Sequence, residues 1–231
     1  MSRSPERKSG VVTFLDVLGW KGVYDRNVDA ISSLTNLIQG VRSRSLAVSR
    51  GVITGDIDVK SISDTIAIFT HCPEDETSKA IEIHGELCKW LIPESIAAEL
   101  PIRGATSCGD FETKDNIFVG QAVDEAASWH EQSDWIGVNL TPTAEFVFSR
   151  KETNSAWVSY RLPGKLRLDW SVHCVDWTSH WNDRSEEIAK IKEKFRRLGP
   201  IVPEIAGKFV NTIKFIEHLG PDNSMVDSEG I

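Results

Sequence analysis

Apolar positions along this chain alternate between two periods. GVVTFLDVLG (10–19) is an apolar run closed by glycine, the pattern of a buried strand ending in a turn. Val28, Ile31, Leu34, Ile38 and Val41 then recur about one turn apart and predict a helix. RGVITGDIDVKSISDTIAIF (50–69) reads as two strand-like stretches, with the turn signal at Gly55 and Asp56. After the polar loop HCPEDETS, Ile81, His84, Leu87, Cys88 and Leu91 mark a second amphipathic helix. LPIRGATSCGDF (100–111) and NIFVG (116–120) read as strands, QAVDEAASWHEQ (121–132) as an Ala-rich helix, and WIGVNLT (135–141) as a buried strand. Farther on, the pattern suggests a hairpin within 157–178 around the turn LPGK. A clear amphipathic helix follows at 184–199, with Ile188, Ile191, Phe195 and Leu198 on one side. The last dozen residues have the composition of a frayed tail.

The order β-α-β-β-α-β is complete by about residue 110, and a further strand, helix and strand follow. It predicts an α+β fold of the ferredoxin-like split βαβ kind, a sheet with helices on one face. One domain is expected over 8–178, with a C-terminal helical extension and tail at 179–231. At 231 residues, 40% hydrophobic and 26% charged, such a chain builds a core without staples, and collagenous and disordered classes are excluded. A net charge of −8 argues against a general nucleic-acid coat, which needs a basic surface. No apolar run approaches the ~20 residues of a membrane helix, and MSRSPERKSG lacks the apolar stretch of a signal peptide. Cys72, Cys88, Cys108 and Cys174 are scattered without a CxxC pair and read as reduced thiols. The expectation is a soluble, cytoplasmic protein that engages neither nucleic acid nor membrane.

Two aspartates stand inside apolar strands. Asp16 in VVTFLDVLG shares a strand face with Val12 and Phe14; Asp64 in VKSISDTIAIF would share one with Lys60, Ile62, Ile66 and Ile68. A buried carboxylate costs several kcal/mol unless something positive pairs with it. In this element order the first and third strands are neighbours, so the two carboxylates would stand side by side. They repel unless a cation lies between them, and hard ions such as Mg²⁺ or Mn²⁺ favour that all-oxygen setting together with substrate phosphates. The plainer alternative is that each Asp caps a strand end or pairs with a nearby Arg or Lys. The metal reading suggests two-metal phosphoryl or nucleotidyl transfer.

At these residues the chain resembles a class III nucleotidyl cyclase. FLDVLG (14–19) is similar to that family's metal-binding strand, and KSISDTIAIF (60–69) to its second metal strand. PIRGATSCG (101–109) resembles its Arg-x-Gly-type strand, and NIFVGQAVDEAAS (116–128) the segment whose helix contacts the transition state. The four occur in the family's order, over about residues 10–141. The resemblance implies that Asp16 and Asp64 bind two ions, Mn²⁺ or Mg²⁺, with the backbone carbonyl of Val17 as a further ligand. It also implies attack of a nucleotide's 3′-hydroxyl on its own α-phosphate, in a homodimer with sites at the interface.

The departures from the family pattern narrow this further. Lys60 matches the lysine that helps select adenine, but its acidic partner matches the apolar Ile117; the family's Asn and Arg match Asp124 and Ser128. Arg103, Lys60 or a basic residue beyond 150 would then have to neutralise the transition state. With FLDVLG, SISDTIAIF and WIGV, the chain is more similar to the bacterial pyrimidine cyclases of Pycsar antiphage systems, whose cyclic UMP or cyclic CMP activates a separate effector. That resemblance puts UTP ahead of CTP as substrate, although no residue chooses between the bases. Phe14 is the candidate base contact, and Lys60, Arg103 and Asp124 are the other candidate substrate contacts. The rivals are a cytidylate cyclase, a purine cyclase or another palm-like nucleotidyltransferase, a non-catalytic nucleotide-binding module, and a plain interaction domain.

The remaining features read as structural. His84 and Cys88 have an i, i+4 metal-pair spacing but no second pair to complete four ligands. His173–Cys174 is likewise unsupported. There is no GxxxxGK[ST] loop and no nucleophile elbow. Trp129 and Trp135 flank the region expected at a dimer interface. Arg150, Lys151, Arg161, Lys165 and Arg167 form a solvated face or hold a partner's triphosphate.

Overall fold

In the computed structural model, which describes residues 8–115, 117–148, 155–165, 170–179, 181–198 and 202–220, the first strand has no solvent-facing side along most of its length. In β1 (Ser9–Val17), Val11, Leu15 and Val17 enter one hydrophobic cluster while Val12 and Phe14 enter another. A short helix α1 (Val23–Arg26) leads into α2 (Ala30–Ser49). There Ala30, Leu34, Leu37, Ile38 and Val41 are buried, whereas Val28 and Ile31 are 85% and 59% exposed. The inward stripe is thus offset from the one expected at the helix start, because Val28 precedes the helix.

The hairpin β2 (Ile57–Ile62) and β3 (Thr65–His71) corrects the reading of 50–69. Ile62 pairs with Thr65, so the chain reverses at Ser63 and Asp64, with Ser63 at φ 55°, as two-residue hairpins require. Gly55 does not make the turn. A Cβ there would lie 1.8 Å from the His71 carbonyl oxygen, so this glycine permits a close backbone approach. Asp64 is therefore a turn residue, and the alternation shared with Lys60, Ile62, Ile66 and Ile68 does not exist. Ile66 and Ile68 are fully buried while Ile62 is 46% exposed.

The chain continues through α3 (Thr77–Ala97), β4 (Ile102–Asp110), the small hairpin β5 (Glu112–Lys114) and β6 (Ile117–Val119), α4 (Gln121–Gln132), β7 (Gly137–Leu140), α5 (Pro142–Val147), β8 (Trp157–Arg161) and β9 (Ser171–Val175). The main sheet has the order β2-β3-β1-β4-β7-β9-β8, with β1 antiparallel to both β3 and β4, and β7 parallel to β4. Its first four strands have the expected ferredoxin-like arrangement. The helices, however, are not confined to one face: α2 and α3 bury the larger cluster, and α4 covers Val12, Phe14, Ala67, Phe69 and Phe111 on the other. Strands apolar on both faces need cover on both.

The C-terminal helices α6 (Arg184–Arg197) and α7 (Pro203–His218) join the larger cluster through Ile191, Phe195, Phe209, Phe215 and Ile216. Asp183 caps α6 by accepting from Glu186 N. α7 is tied to the segment before β7: Asn211 Nδ2 donates to the Asp134 carbonyl at 2.8 Å, and Thr212 Oγ1 accepts from Ile136 N at 2.8 Å. Trp135, expected near a dimer surface, is fully buried, with Phe215 edge-on at 4.7 Å and the Tyr160 ring stacked on it. The expected frayed tail lies almost wholly outside the described residues.

All four cysteines are buried and unpaired. His84 on α3 reaches through the core to three central strands. Its Nδ1 meets Thr13 Oγ1 at 2.7 Å and its Nε2 meets Thr70 Oγ1 at 2.9 Å; Thr13 in turn meets Thr106 Oγ1 at 2.7 Å. Every polar atom of the imidazole is thus satisfied, as an ordinary helix residue requires and a metal ligand does not.

Burial holds His84 down to about 3 from an ordinary 6.5. Between those values the unfolded chain binds a proton that the folded chain refuses. Stability from this residue is therefore complete above 6.5 and falls as pH drops, by up to about 1.4 kcal/mol per pH unit. Urea denaturation of wild type and His84→Gln at pH 7.5, 6 and 5 should show the wild-type advantage narrowing with acid. A gap independent of pH would rule out a neutral buried imidazole.

Candidate functional site

Asp16 sits next to the last position of β1, where the register sets it opposite Thr65 on β3 and Arg103 on β4. Directly paired residues of antiparallel strands project to the same face, so Arg103 reaches Asp16 across the strands. Its Nε and Nη2 donate to Asp16 Oδ2 at 3.3 and 3.2 Å, and its Nη1 donates to the carbonyls of Ser133 and Glu131 at 3.1 and 3.3 Å. This guanidinium joins the carboxylate to the C-terminal end of α4.

Asp64, in the β2–β3 turn, is brought beside Asp16 by the same register. Its carbonyl accepts from Val17 N at 3.1 Å, which ties the turn to the end of β1. A strand residue's N–H and C=O point to the same neighbouring strand, so the Val17 carbonyl is on the side of Asp64. After Val17 the chain turns at Gly19, where φ is 74°. The result is a cleft of about 340 Å³ lined by Asp16, Gly19, Lys21, Asp64, Arg103 and Lys208, among others.

Burial raises the Asp16 carboxyl above its ordinary range; Arg103 and then His130 oppose this, while Asp64 adds to it. Two carboxylates and a main-chain oxygen at one cleft are the donor set of a hard divalent cation that takes its remaining ligands from water or phosphate. Among the described residues no group of three or more His, Cys, Asp and Glu gathers to hold a metal through side chains alone. The donors thus fit a metal held jointly with an anionic ligand.

The other expected site residues are spread more widely. Phe14 is 7% exposed; its ring packs edge-on against Phe118 at 5.5 Å and Phe69 at 6.5 Å, and it does not line the cleft. Lys60 lies on the same sheet face as Phe14, across Ala67, and is held by Asp58 Oδ2 at 2.9 Å and by the Asp115 carbonyl. Asp124 is exposed in the first turn of α4 and accepts from Ser128 Oγ through its carbonyl. Ile117 is 71% exposed on β6. Arg150, Lys151 and Arg167 fall outside the described residues.

Two residues were missed. His130 on α4 acts on the charge of Asp16, lies 6.3 Å from the Phe14 ring, and has a buried Nδ1 without a partner among the described residues. Its position four residues after the buried Ala126, on the same helix face, is a signal that could have found it. Lys208 comes from α7, and no motif in that segment pointed to it.

No family model matches the chain, and no curated protein matches it. Among solved structures it is similar to the guanylate cyclase domain of RhGC from Catenaria anguillulae in complex with GTP: 15% identical, TM-score 0.52, covering 74% of this chain and 98% of that one. It is similar to the catalytic core of a rhodopsin-guanylyl cyclase with converted specificity in complex with ATPαS, at 16% identity, TM-score 0.52, and 76% and 98% coverage. An adenylate cyclase from Trypanosoma brucei in its monomeric state gives 12% identity, TM-score 0.50, and 79% and 93% coverage. The chain therefore has the fold of the class III cyclase domains. Among the described residues no helix is long and apolar enough to cross a membrane.

The pairing of Arg103 with Asp16 makes a testable demand. Arg103→Met leaves a largely buried carboxylate without its cation and should lower stability at pH 7 by about 1.5–3 kcal/mol. The loss should shrink toward acid pH, as Asp16 takes up a proton, and should be smaller in an Asp16→Asn background. An equal loss in both backgrounds, by chemical denaturation, would show that Arg103 acts only through its contacts to the α4 end.

Proposed function

We propose that this chain is a nucleotidyl cyclase acting on a pyrimidine nucleoside triphosphate, UTP ahead of CTP. It would release a cyclic 3′,5′-monophosphate and pyrophosphate as a second messenger in antiphage defence. The observation that carries the reading is the meeting of Asp16, near the end of β1, and Asp64, in the β2–β3 turn, at one cleft of a class III cyclase fold. In the reaction the 3′-hydroxyl gives its proton to solvent water, its oxygen bonds to the α-phosphorus, and the bond from that phosphorus to the α,β-bridging oxygen breaks, the oxygen and its electron pair leaving with pyrophosphate. Asp16, Asp64 and the Val17 carbonyl would hold the divalent ions, Mn²⁺ or Mg²⁺. Those ions, when bound, supply activation of the attacking oxygen and neutralisation of the phosphates.

The chain's own part is positioning and charge. Arg103 keeps Asp16 in one orientation and places a cation beside the phosphates, and Gly19 lets the backbone after β1 turn at the cleft. The pyrimidine preference is supported by what stands where a purine cyclase would read its base. Ile117 has no polar group to offer, and Lys60 is already held by Asp58 and Asp115. The exposed apolar side chains Ile62, Ile117 and Val119, at 46%, 71% and 61% exposure, support a homodimer whose second copy completes the site from its own α4. The cyclic product would act through a separate effector.

One observation favours a second reading. Asp124 and Ser128 stand where the family has its transition-state Asn and Arg, so a nucleotide-binding module without turnover fits the same cleft. Incubation with all four ribonucleoside triphosphates and Mn²⁺ or Mg²⁺, beside Asp64→Asn, separates the two by product mass. Cyclic UMP or cyclic CMP from the wild type alone is the expected result, with a loss of about a hundredfold or more in the variant, the order of effect of weakening one electrostatic stabiliser of the reacting phosphate, here an ion that Asp64 would hold. Cyclic AMP or cyclic GMP would overturn the pyrimidine assignment. Thermal stabilisation by triphosphate and metal without product would favour the module.

A further inference from the structure

The cleft that holds Asp16 and Asp64 is closed on one side by α7, an element no motif connects with the chemistry. Ile205, Lys208 and Phe209 of this helix line it together with Asp16, Asp64 and Arg103. The placement of α7 is over-determined. Asn211 and Thr212 hydrogen-bond the backbone of residues 134 and 136, and Phe215 is packed on Trp135. Gly207 lets the helix lie directly on Asp134, where an added Cβ would stand 2.4 Å from the carboxylate. These contacts fix the rotation of the helix and with it the side from which Lys208 approaches.

Lys208 is half-buried, and its Nζ is 3.8 Å from Asp134 Oδ1, a loose ion pair that leaves the ammonium able to donate to a ligand. Two other cations bear on it, Arg103 and Lys165. Lys165 is itself fixed by its backbone N–H, which donates to the Gln132 carbonyl at 2.8 Å. Three cations, Lys21, Arg103 and Lys208, line one cleft together with the carboxylates of Asp16 and Asp64. That is the distribution a polyphosphate with bound divalent ions would complement. Burial first, then Arg103 and Lys165, lower the Lys208 ammonium below its ordinary range against the pull of Asp134; an arriving polyanion would relieve that strain.

We infer that Lys208 is a substrate-binding residue supplied by the C-terminal extension of the same chain, and that it grips the triphosphate beside Asp16 and Asp64. The inference rests on the cyclase reading for the identity of the substrate, but the phosphate site can be tested without turnover. Inorganic tripolyphosphate with Mg²⁺ is titrated calorimetrically into wild type, Lys208→Gln, Lys208→Arg, Asp134→Asn and Lys214→Gln; Lys214 is an exposed residue of the same helix. Lys208→Gln should weaken tripolyphosphate about tenfold or more, in line with loss of one charge-assisted hydrogen bond. Lys208→Arg should restore most of it, Asp134→Asn should tighten binding by freeing the ammonium, and Lys214→Gln should match the wild type.

In turnover, Lys208→Gln should raise KM for the triphosphate by a similar factor and lower kcat much less. Unchanged tripolyphosphate affinity in Lys208→Gln, or no tripolyphosphate binding by the wild type, overturns the inference and leaves Lys208 as the partner of Asp134 only. If Lys208→Gln fails to fold, the Asp134→Asn titration decides alone: weaker or equal binding overturns the inference. A wild type that binds tripolyphosphate through Lys208 yet forms no cyclic nucleotide sinks the cyclase reading and not this site.

Discussion

The rest of the structure depends on β1 being buried on both faces while carrying polar groups on each. On the α3 side Thr13 is linked to His84 and Thr106, and His84 to Thr70, so one imidazole joins a helix to the three central strands. Unpaired, any of these buried groups would cost about 1–3 kcal/mol. Paired, they specify which helix position faces which strand position, because a slip of one residue in β1 would turn Thr13 away. That register determines everything at the strand ends. It sets Asp16 opposite Arg103 and Thr65, and so brings the Ser63–Asp64 turn against Val17.

The cleft is a problem in charge placement. Two carboxylates are held together by backbone register rather than by attraction, and Asp16 is raised by burial and by Asp64 despite the guanidinium beside it. The protein meets this with fixed cations: Arg103 bonded to Asp16, and Lys208 held near it by a helix that packs elsewhere. Both cations are positioned by protein contacts, Arg103 by Asp16 and the carbonyls of Ser133 and Glu131, Lys208 by the packing of α7. Under the proposed function such a site receives an anion together with divalent ions, and pre-organisation of this kind is where binding and electrostatic stabilisation gain most.

The parts of this arrangement legible in the sequence were those with a period. β1, α2, α3, β4, β6, α4 and β7, the pairing of the first and third strands, and the anomaly of Asp16 in an apolar run followed from alternation and turn spacing. The hairpin turn was misplaced because Gly55 is the stronger turn signal, while the real turn uses Ser63 at a positive φ that sequence preference disfavours. The meeting of Asp64 with Asp16 was nevertheless expected, because strand order alone brings a β2–β3 hairpin beside β1. Phe14 illustrates the opposite limit: its face was read correctly, but α4 and Phe118 cover that face and bury the ring. Lys208 was illegible because it acts over 192 positions of sequence from Asp16, through contacts between α7 and residues 134–136 that no local pattern encodes.

Those contacts also bear on how the cleft responds to change elsewhere. Trp135 packs with Phe215 of α7 and Tyr160 of β8 in one aromatic cluster, while on either side of it the Asp134 carbonyl accepts from Asn211 and the Ile136 N–H donates to Thr212, the hydrogen bonds that orient the helix. The next element, β7, pairs with β4 at Arg103, and Arg103 also bonds the carbonyl of Ser133. Residues 133–137 therefore bear on two of the cleft's cations, Lys208 through α7 and Arg103 directly. Because packed interiors shift as units rather than deforming freely, a substitution that moved this segment would displace Arg103 and Lys208 together relative to the carboxylates. The segment follows α4 directly, so whatever docks against α4, a second copy of the chain included, has a short mechanical route to the charge balance of the site.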